Sequence, residues 1–224
     1  MGNFASIEET IYFYTWNDSK TIREYFLSCL SEGDYKKKAH YFNFESNVGT
    51  SIDASRKLLE KYENGTKAKD TPLDHKIFNI LNNRVHGDID YQEVYEKDIS
   101  NIFEAMKPTK EKIVLYRTVE EQHVPKDIST YKNNPVYNFM YIFSTALAPY
   151  KEEEQKKNFY RYEIIVPENN FVLELDQYET RNEKGEVLLP LTKYKIINIR
   201  DSDSNNGLCK GIIEVEVIEQ RMHL

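Results

Sequence analysis

Hydrophobic positions in the first half of the chain recur at the spacing of α-helices. Apolar side chains three and four residues apart predict helical segments. These segments are 22–30, 51–64, 74–81 and 90–106. Gly33 and Gly65 are the expected stops of the first two, and Asp74 is the expected N-cap of the third. The pattern therefore predicts a mainly helical part over residues 1–108.

The second half changes to the short, alternating apolar pattern of β-strands. The predicted strands are 112–119, 160–166, 171–175, 187–191, 194–199 and 212–218. Asn205-Asn206-Gly207 favours a hairpin turn before the last strand, and the Lys/Glu-rich stretch 151–157 is expected to be a solvated loop. Helices followed by strands indicate an α+β fold. We expect a single domain over 1–224, with a strand-rich part at 109–224.

Composition narrows the function classes. The net charge of −7 argues against a nonspecific nucleic-acid binder, which would carry a basic surplus. Cys29 and Cys209 are expected to be reduced thiols. The five histidines lack the paired spacing of metal ligands, so no metal site is expected. The sequence contains no apolar run of the roughly 20 residues that a transmembrane helix needs.

Three polar features of the strand-rich part are candidates for chemistry. Arg117 lies within the apolar stretch KIVLYRTV, where both a water-facing arginine on an edge strand and an anion clamp are open interpretations. Ser144 and Thr145 follow Phe143, and their hydroxyls could instead satisfy local backbone groups. Glu186 stands at the entry to an apolar strand, where a carboxylate that turns inward is costly. Taken singly, each feature has an ordinary structural explanation.

Taken in order, these features resemble the Arg–Ser–Glu class of ADP-ribosyltransferases, which includes bacterial toxin-like and arginine-specific enzymes. The Tyr-Arg that ends at Arg117 matches the family's first strand, and Ser144-Thr145 match its Ser-Thr-Ser strand. Glu186 and the Val-Leu-Leu-Pro after it match the second half of the Glu-x-Glu motif. The resemblance covers residues 90–218, and its specificity lies in the ordered set.

The chain departs from the family pattern at two positions. The third residue of the Ser-Thr-Ser motif is Ala146. Two residues before Glu186 stands Lys184, where arginine-modifying members have Glu and others often have Gln. Glu183 is the nearest carboxylate, one residue earlier. The acceptor therefore stays open at this point.

The resemblance implies a helical region followed by a β-rich core of two packed sheets that binds NAD, with no metal. It implies that Glu186 stabilises the cationic ribose, that Arg117 clamps the pyrophosphate and that Ser144 orients Glu186. The NAD site implied is Arg117, Thr118, Ser144, Thr145 and Glu186. In the loop before Glu186, Tyr178 and Glu183 are the implied contacts to the acceptor.

The implied activity is cleavage of NAD at the nicotinamide–ribose bond and transfer of ADP-ribose to a macromolecule. We expect a protein acceptor, modified on arginine or another side chain, with a nucleic acid as the alternative. An NAD glycohydrolase on the same fold and a catalytically inactive interaction module are further alternatives. An antitoxin or a target protein is left open as a partner. The chain start lacks the features of a secretory signal, so we expect a cytoplasmic protein, or one delivered into a host cell without a cleavable signal.

Overall fold

The structure is a computed structural model that describes residues 5–13, 44–124, 136–137, 143–149, 157–178, 185–202 and 207–222. The described chain divides into two compact units. The helical unit holds residues 5–105 together with 177–178, and the strand unit holds residues 106–176 and 185–222. The main division falls within a few residues of the predicted change from helices to strands.

Four helices form the described part of the helical unit. They are α1 (Ile7–Phe13), α2 (Phe44–Glu63), α3 (Pro72–His86) and α4 (Tyr91–Ala105). The last three confirm predicted helices, although α2 begins seven residues before the expected start at 51. The short helix α1 was not predicted. The predicted helix 22–30, with its stop at Gly33, lies outside the described residues.

The start of α3 corrects the predicted N-cap. Thr71, not Asp74, is the N-cap, because the Thr71 hydroxyl accepts the Asp74 backbone N–H at 3.1 Å. The Asp74 carboxylate in turn accepts the Thr71 backbone N–H at 3.3 Å, which completes a capping box. Pro72 occupies the first helical turn, where its missing N–H costs nothing. The prediction was wrong because it placed the start of the helix beyond the buried Leu73.

A buried polar network joins three helices. The Arg84 guanidinium on α3 donates to the Asp98 carboxylate on α4 at 2.9 Å, and both side chains are at most 3% exposed. Thr10 on α1 also donates to Asp98, at 3.4 Å. The Asn101 amide donates to the Thr10 hydroxyl and to the Ala5 carbonyl. This network fixes α1 against its neighbours, because burying these groups unpaired would be unfavourable.

Nine strands are described in the strand unit. They are β1 (Lys107–Pro108), β2 (Ile113–Glu120), β3 (Val136–Tyr137), β4 (Phe143–Ala146), β5 (Phe159–Val166), β6 (Phe171–Glu174), β7 (Glu186–Leu189), β8 (Leu191–Arg200) and β9 (Cys209–Arg221). All six predicted strands are confirmed, with ends shifted by a few residues. The two-residue strands β1 and β3 were too short to predict. The α+β class is confirmed.

The strands pair in the single order β1-β6-β7-β4-β2-β5-β9-β8-β3. Among the described pairs, β5–β9 is parallel and the others are antiparallel. The antiparallel pairing of β8 with β9 fits the predicted hairpin, although Asn205 and Asn206 lie outside the described residues. The expected loop 151–157 is described only at Lys157, which is exposed.

A single residue pair, Tyr116 opposite Ala146, joins β2 to β4; we call it the junction pair. It divides the sheet into two arms. One arm holds the four strands β1, β6, β7 and β4, and the other holds the five strands β2, β5, β9, β8 and β3. Two separate packed sheets are therefore not confirmed, because the pairing is continuous. Both arms contribute to one buried cluster, which includes Leu115, Ile164, Val187, Leu189, Ile213 and Val215.

Some expectations concern single residues or whole classes of feature. Cys209 is a buried free thiol, whereas Cys29 lies outside the described residues. The described helices include none that is long and apolar enough to cross a membrane. In the same part of the chain, no group of three or more His, Cys, Asp or Glu residues is placed to hold a metal ion.

Candidate active site

The junction pair places Glu186 in one row with two residues of neighbouring strands. Glu186 on β7 lies opposite Ala146 on β4, and Ala146 lies opposite Tyr116 on β2. Directly opposite residues of a ladder point to the same face of a sheet. The three positions therefore share a face at the centre of the strand order, although 70 residues separate Tyr116 from Glu186 in the sequence.

The serine motif lies on the strand between the other two candidates. Ser144 is opposite Leu188 in the β4–β7 ladder, two residues from the Ala146–Glu186 pair, so the Ser144 and Glu186 positions are diagonal neighbours on one face. Thr145 points to the other face and is buried, at 3% exposed. Its hydroxyl donates to the Val187 carbonyl at 2.8 Å. Thr145 thereby joins β4 to β7 next to Ser144 and Glu186.

Arg117 follows the junction residue Tyr116 on β2. This strand pairs with both β4 and β5, so it is not the edge strand of the simpler interpretation, and Arg117 is half-buried. Alternation along β2 assigns Arg117 to the face of Leu115 and Val119, opposite that of Tyr116. The register thus brings Ser144 and Glu186 onto one face, while Arg117 belongs to the adjacent strand and the other face.

The ladder between β2 and β4 ends at the junction pair. From there β4 continues through Thr145 and Ser144, and β2 continues through Arg117 and Thr118. No further pair joins these two stretches among the described residues. The two strands therefore cease to be hydrogen-bonded as a ladder at the position where Arg117 and Ser144 lie. A ligand bound there would not have to displace a β2–β4 ladder.

A fixed turn leads into Glu186, the first residue of β7. Gly185 has a φ of +82°, a conformation that favours glycine. The Gly185 N–H donates to the Asp176 carboxylate at 2.8 Å, and the Gly185 carbonyl accepts the Leu147 N–H at 2.9 Å. Leu147 directly follows Ala146, the ladder partner of Glu186. The half-buried Glu186 therefore follows a glycine whose N–H and carbonyl are both hydrogen-bonded.

The row through the junction pair continues into a charged cluster. Tyr116 lies opposite Glu163 on β5, and Glu163 lies opposite Glu214 on β9. Arg200 on β8 donates to both carboxylates, at 3.0 and 2.8 Å. The hydrogen bond to Glu214, followed by the nearby charge of Glu163, raises the pKa of Arg200 above its usual range, although burial opposes the shift. Arg200 thus pairs with both carboxylates, and its single positive charge offsets one of their two negative charges.

The remaining predicted residues lie apart from this row or outside the described chain. Thr118 is half-buried and lies opposite Arg161 on β5. Tyr178 belongs to the helical unit and is half-buried. Burial, with a smaller contribution from Glu8 on α1, raises the pKa of the Tyr178 hydroxyl. Glu183, like its neighbour at 184, lies outside the described residues, so its relation to Glu186 stays a prediction.

Asp176 was not predicted as a site residue. The sequence carried a usable signal, because Asp176 begins a polar loop that ends in glycine directly before Glu186. Acidic side chains at loop starts commonly accept backbone N–H groups, and glycine permits the left-handed turn that closes such a loop. The matched motif residues after the loop begin at Glu186, directly after the glycine, and do not include Asp176.

Comparison with known proteins gives a fold. No family model and no curated protein matches the chain. Among solved structures, the ATR domain of Salmonella SpvB is similar over 95% of this chain and 98% of that domain, with 15% identity and a TM-score of 0.52. The chain has an ADP-ribosyltransferase-toxin-like fold.

Two further structures with this fold are also similar to the chain. Plx2a, an ADP-ribosyltransferase toxin from Paenibacillus larvae, is 18% identical, with 75% of this chain and 96% of that one covered and a TM-score of 0.45. C3stau2 from S. aureus, solved with NAD, is 14% identical, with 96% and 87% covered and a TM-score of 0.47. Within the ADP-ribosyltransferase-like fold of the present chain, the candidate residues lie on β2, β4 and β7.

Proposed function

We propose that the protein is a mono-ADP-ribosyltransferase that cleaves NAD at its nicotinamide–ribose bond and transfers ADP-ribose to a macromolecule. The observation that carries the proposal is the register of β2, β4 and β7, in which Ser144 and Glu186 share a face beside the junction pair and Arg117 lies on the next strand. The similarity in fold to the SpvB domain supports it independently of the motifs.

Glu186 is the proposed catalytic residue. The leaving nicotinamide is a cationic pyridinium, so bond breakage leaves positive charge on the ribose, as in glycoside hydrolysis. A carboxylate that binds a ribose hydroxyl stabilises that charge, provided the carboxylate stays ionised. A hydrogen bond from Ser144, its diagonal neighbour in the ladder, would favour the ionised form of the half-buried Glu186.

Arg117 is the proposed clamp for the pyrophosphate of NAD. A guanidinium offers paired donors that match phosphate oxygens, and Arg117 lies where the β2–β4 ladder has ended. Thr118 and Thr145 complete the proposed NAD site.

The proposed acceptor is a protein, on arginine or another side chain. Tyr178 and Glu183 flank the loop before Glu186 and are the proposed acceptor contacts, by stacking and by proton abstraction. Lys184 stands where arginine-modifying members of the family carry a carboxylate. The motif therefore does not identify the type of side chain that is modified, and an experiment has to identify it.

The test is release of nicotinamide from NAD by the purified protein, followed by chromatography. We expect Glu186→Gln to lower the rate by about 10² to 10³, the usual effect of removing one preorganised electrostatic group. Glu174→Gln is the matched control, because Glu174 is an exposed carboxylate on the adjacent strand β6. Full activity in Glu186→Gln, or an equal loss in both variants, would reject the site.

A second experiment separates the acceptor classes. The protein is incubated with tagged NAD in cell lysate, and the products are treated with protease or with nuclease. Loss of label under protease identifies a protein acceptor, and loss under nuclease identifies a nucleic acid. Nicotinamide release without any labelled macromolecule identifies an NAD glycohydrolase. If calorimetric titration detects no NAD binding, the protein is an inactive interaction module.

A further inference from the structure

We infer that Asp176 is a positioning residue for Glu186 and acts through the backbone of Gly185. The inference rests on the proposed function of Glu186. It starts from one hydrogen bond, in which the Asp176 carboxylate accepts the Gly185 N–H at 2.8 Å across nine residues of sequence. This bond joins the two ends of the loop that precedes the proposed catalytic residue.

Two hydrogen bonds and the backbone conformation constrain Gly185. Its N–H is bound to Asp176 at the end of β6 and the short helix Leu175–Gln177. Its carbonyl is bound to the N–H of Leu147, the residue after β4. Its φ of +82° lies in the left-handed region. The next residue is Glu186, so these constraints together set the direction in which the glutamate leaves the turn.

The steric surroundings of Gly185 separate backbone from side-chain effects. A Cβ added there would meet the Leu147 Cβ at 3.7 Å, which is an ordinary contact. The glycine is therefore required by its backbone conformation and not by a lack of space. In that conformation the Asp176 carboxylate is a charged acceptor for the N–H, and such bonds are stronger than those between neutral groups.

A positioning role predicts a specific kinetic signature. Glu186 is proposed to act on charge that develops in the transition state, so displacing it should lower kcat and leave the KM for NAD nearly unchanged. We expect Asp176→Ala to lower kcat about 5- to 10-fold, the equivalent of one hydrogen bond of ordinary net strength. Asp176→Asn keeps an oxygen acceptor and should restore most of the activity. Glu174→Ala, an exposed carboxylate two residues earlier, is the control.

Glycine variants supply a second line of test. Gly185→Ala should lower kcat with little change in KM, because alanine resists the positive φ. Gly65→Ala is the matched control, since Gly65 has a φ of +75°, has no atom within 4 Å of an added Cβ, and lies in the helical unit. Equal kinetic losses in the two glycine variants would mean that the effect is general destabilisation, and would overturn the inference.

Amide hydrogen exchange tests the hydrogen bond between Asp176 and Gly185 without any substrate. In Asp176→Ala the Gly185 amide should exchange about tenfold faster than in the wild type, and in Asp176→Asn it should remain protected. Unchanged exchange in Asp176→Ala, or an unchanged kcat in an active enzyme, overturns the inference. If the wild type released no nicotinamide, the proposed function would fail. The role of Asp176 in positioning Glu186 would then fail with it, whatever the exchange of the Gly185 amide showed.

Discussion

The helical unit and the strand unit use their polar side chains differently. In the helical unit, Arg84 and Asp98 are almost fully buried and bonded to each other. In the strand unit, the comparable cluster around Arg200 lies at the surface, with Arg200 41% exposed and its partner Glu163 22% exposed. The same kinds of group thus hold helices together in one unit and line a face of the sheet in the other.

This difference separates structural from functional interpretations of a charged residue. A buried, hydrogen-bonded ion pair fixes the arrangement of its elements and is costly to break. A partly exposed charge adds little to stability, so its position has to be explained in another way. By this criterion the buried Arg84 is a structural residue, whereas burial alone assigns no such role to the half-buried Arg117 and Glu186.

The largest effect that would sharpen the comparison is expected for Asp98→Ala. The variant leaves the Arg84 guanidinium buried without its carboxylate, and we expect it to lower the free energy of unfolding by about 3 to 5 kcal/mol. Urea unfolding followed by far-ultraviolet circular dichroism measures the loss. Ser100→Ala, an exposed change on the same helix, should be nearly neutral. A loss under about 1 kcal/mol would show that the pair is not a structural anchor.

A smaller effect is expected for Thr145→Val in the strand unit. Valine keeps the shape but removes the hydroxyl that donates to the Val187 carbonyl, and we expect a loss of about 1 to 2 kcal/mol. Hydrogen exchange of the β4 and β7 amides should rise locally. Thr66→Val, at an exposed threonine of the helical unit, is the control. An unchanged exchange pattern would contradict a tie between these strands.

The pH dependence of stability tests the capping box of α3. Burial by itself would raise the pKa of Asp74, but hydrogen bonds from Thr71 and Tyr62 and the nearby charge of Lys67 outweigh it and lower that pKa below its ordinary 3.8. Because the folded pKa is lowered, the contribution of Asp74 to stability is present at neutral pH and is lost as the pH falls through the lowered value.

Asp74→Asn should therefore be about 1 kcal/mol less stable than the wild type at pH 7, and the difference should shrink as the pH falls below 3.8 and through the lowered pKa of Asp74. Urea unfolding at a series of pH values gives both curves. A difference that stayed constant with pH would mean that the carboxylate contributes by shape and not by charge.

The smallest effect is expected for Arg200→Ala, which removes both surface ion pairs with Glu163 and Glu214. Because the three side chains are partly exposed, we expect a loss of less than about 1 kcal/mol, reduced further in 1 M salt. Comparison with Asp98→Ala in the same assay measures the contrast between the two units directly. A loss as large as that of Asp98→Ala would remove the contrast.

The sequence predicted the elements better than their ends and their pairing. The period of the pattern was sufficient for α4 and β9, because α4 has a buried face and β9 alternates between buried and more exposed positions over residues 213–217. It was not sufficient for α1, β1 or β3, which are too short to show a period. The apolar period placed the start of α3 beyond Leu73 and so missed the N-cap, although a threonine directly before a proline is itself a helix-start signal.

The candidate site was predicted in part. The motifs named Arg117, Ser144 and Glu186, and the confirmed fold brings their strands together. The register itself was not predictable, since the junction pair joins residues 30 positions apart through a contact that no local pattern encodes. Asp176 was missed for another reason: the polar loop that ends in glycine was a usable signal, but Asp176 is not one of the family's motif residues.

The junction pair has a consequence for how disturbances spread through the strand unit. A continuous ladder passes a local distortion from strand to strand, because each hydrogen bond constrains the next. Here one pair, with Ala146 as its smaller member, is the whole hydrogen-bonded connection between the two arms in the described chain. The connection between the arginine strand and the serine strand therefore depends mainly on the buried apolar cluster that both arms share, and only at one position on a ladder.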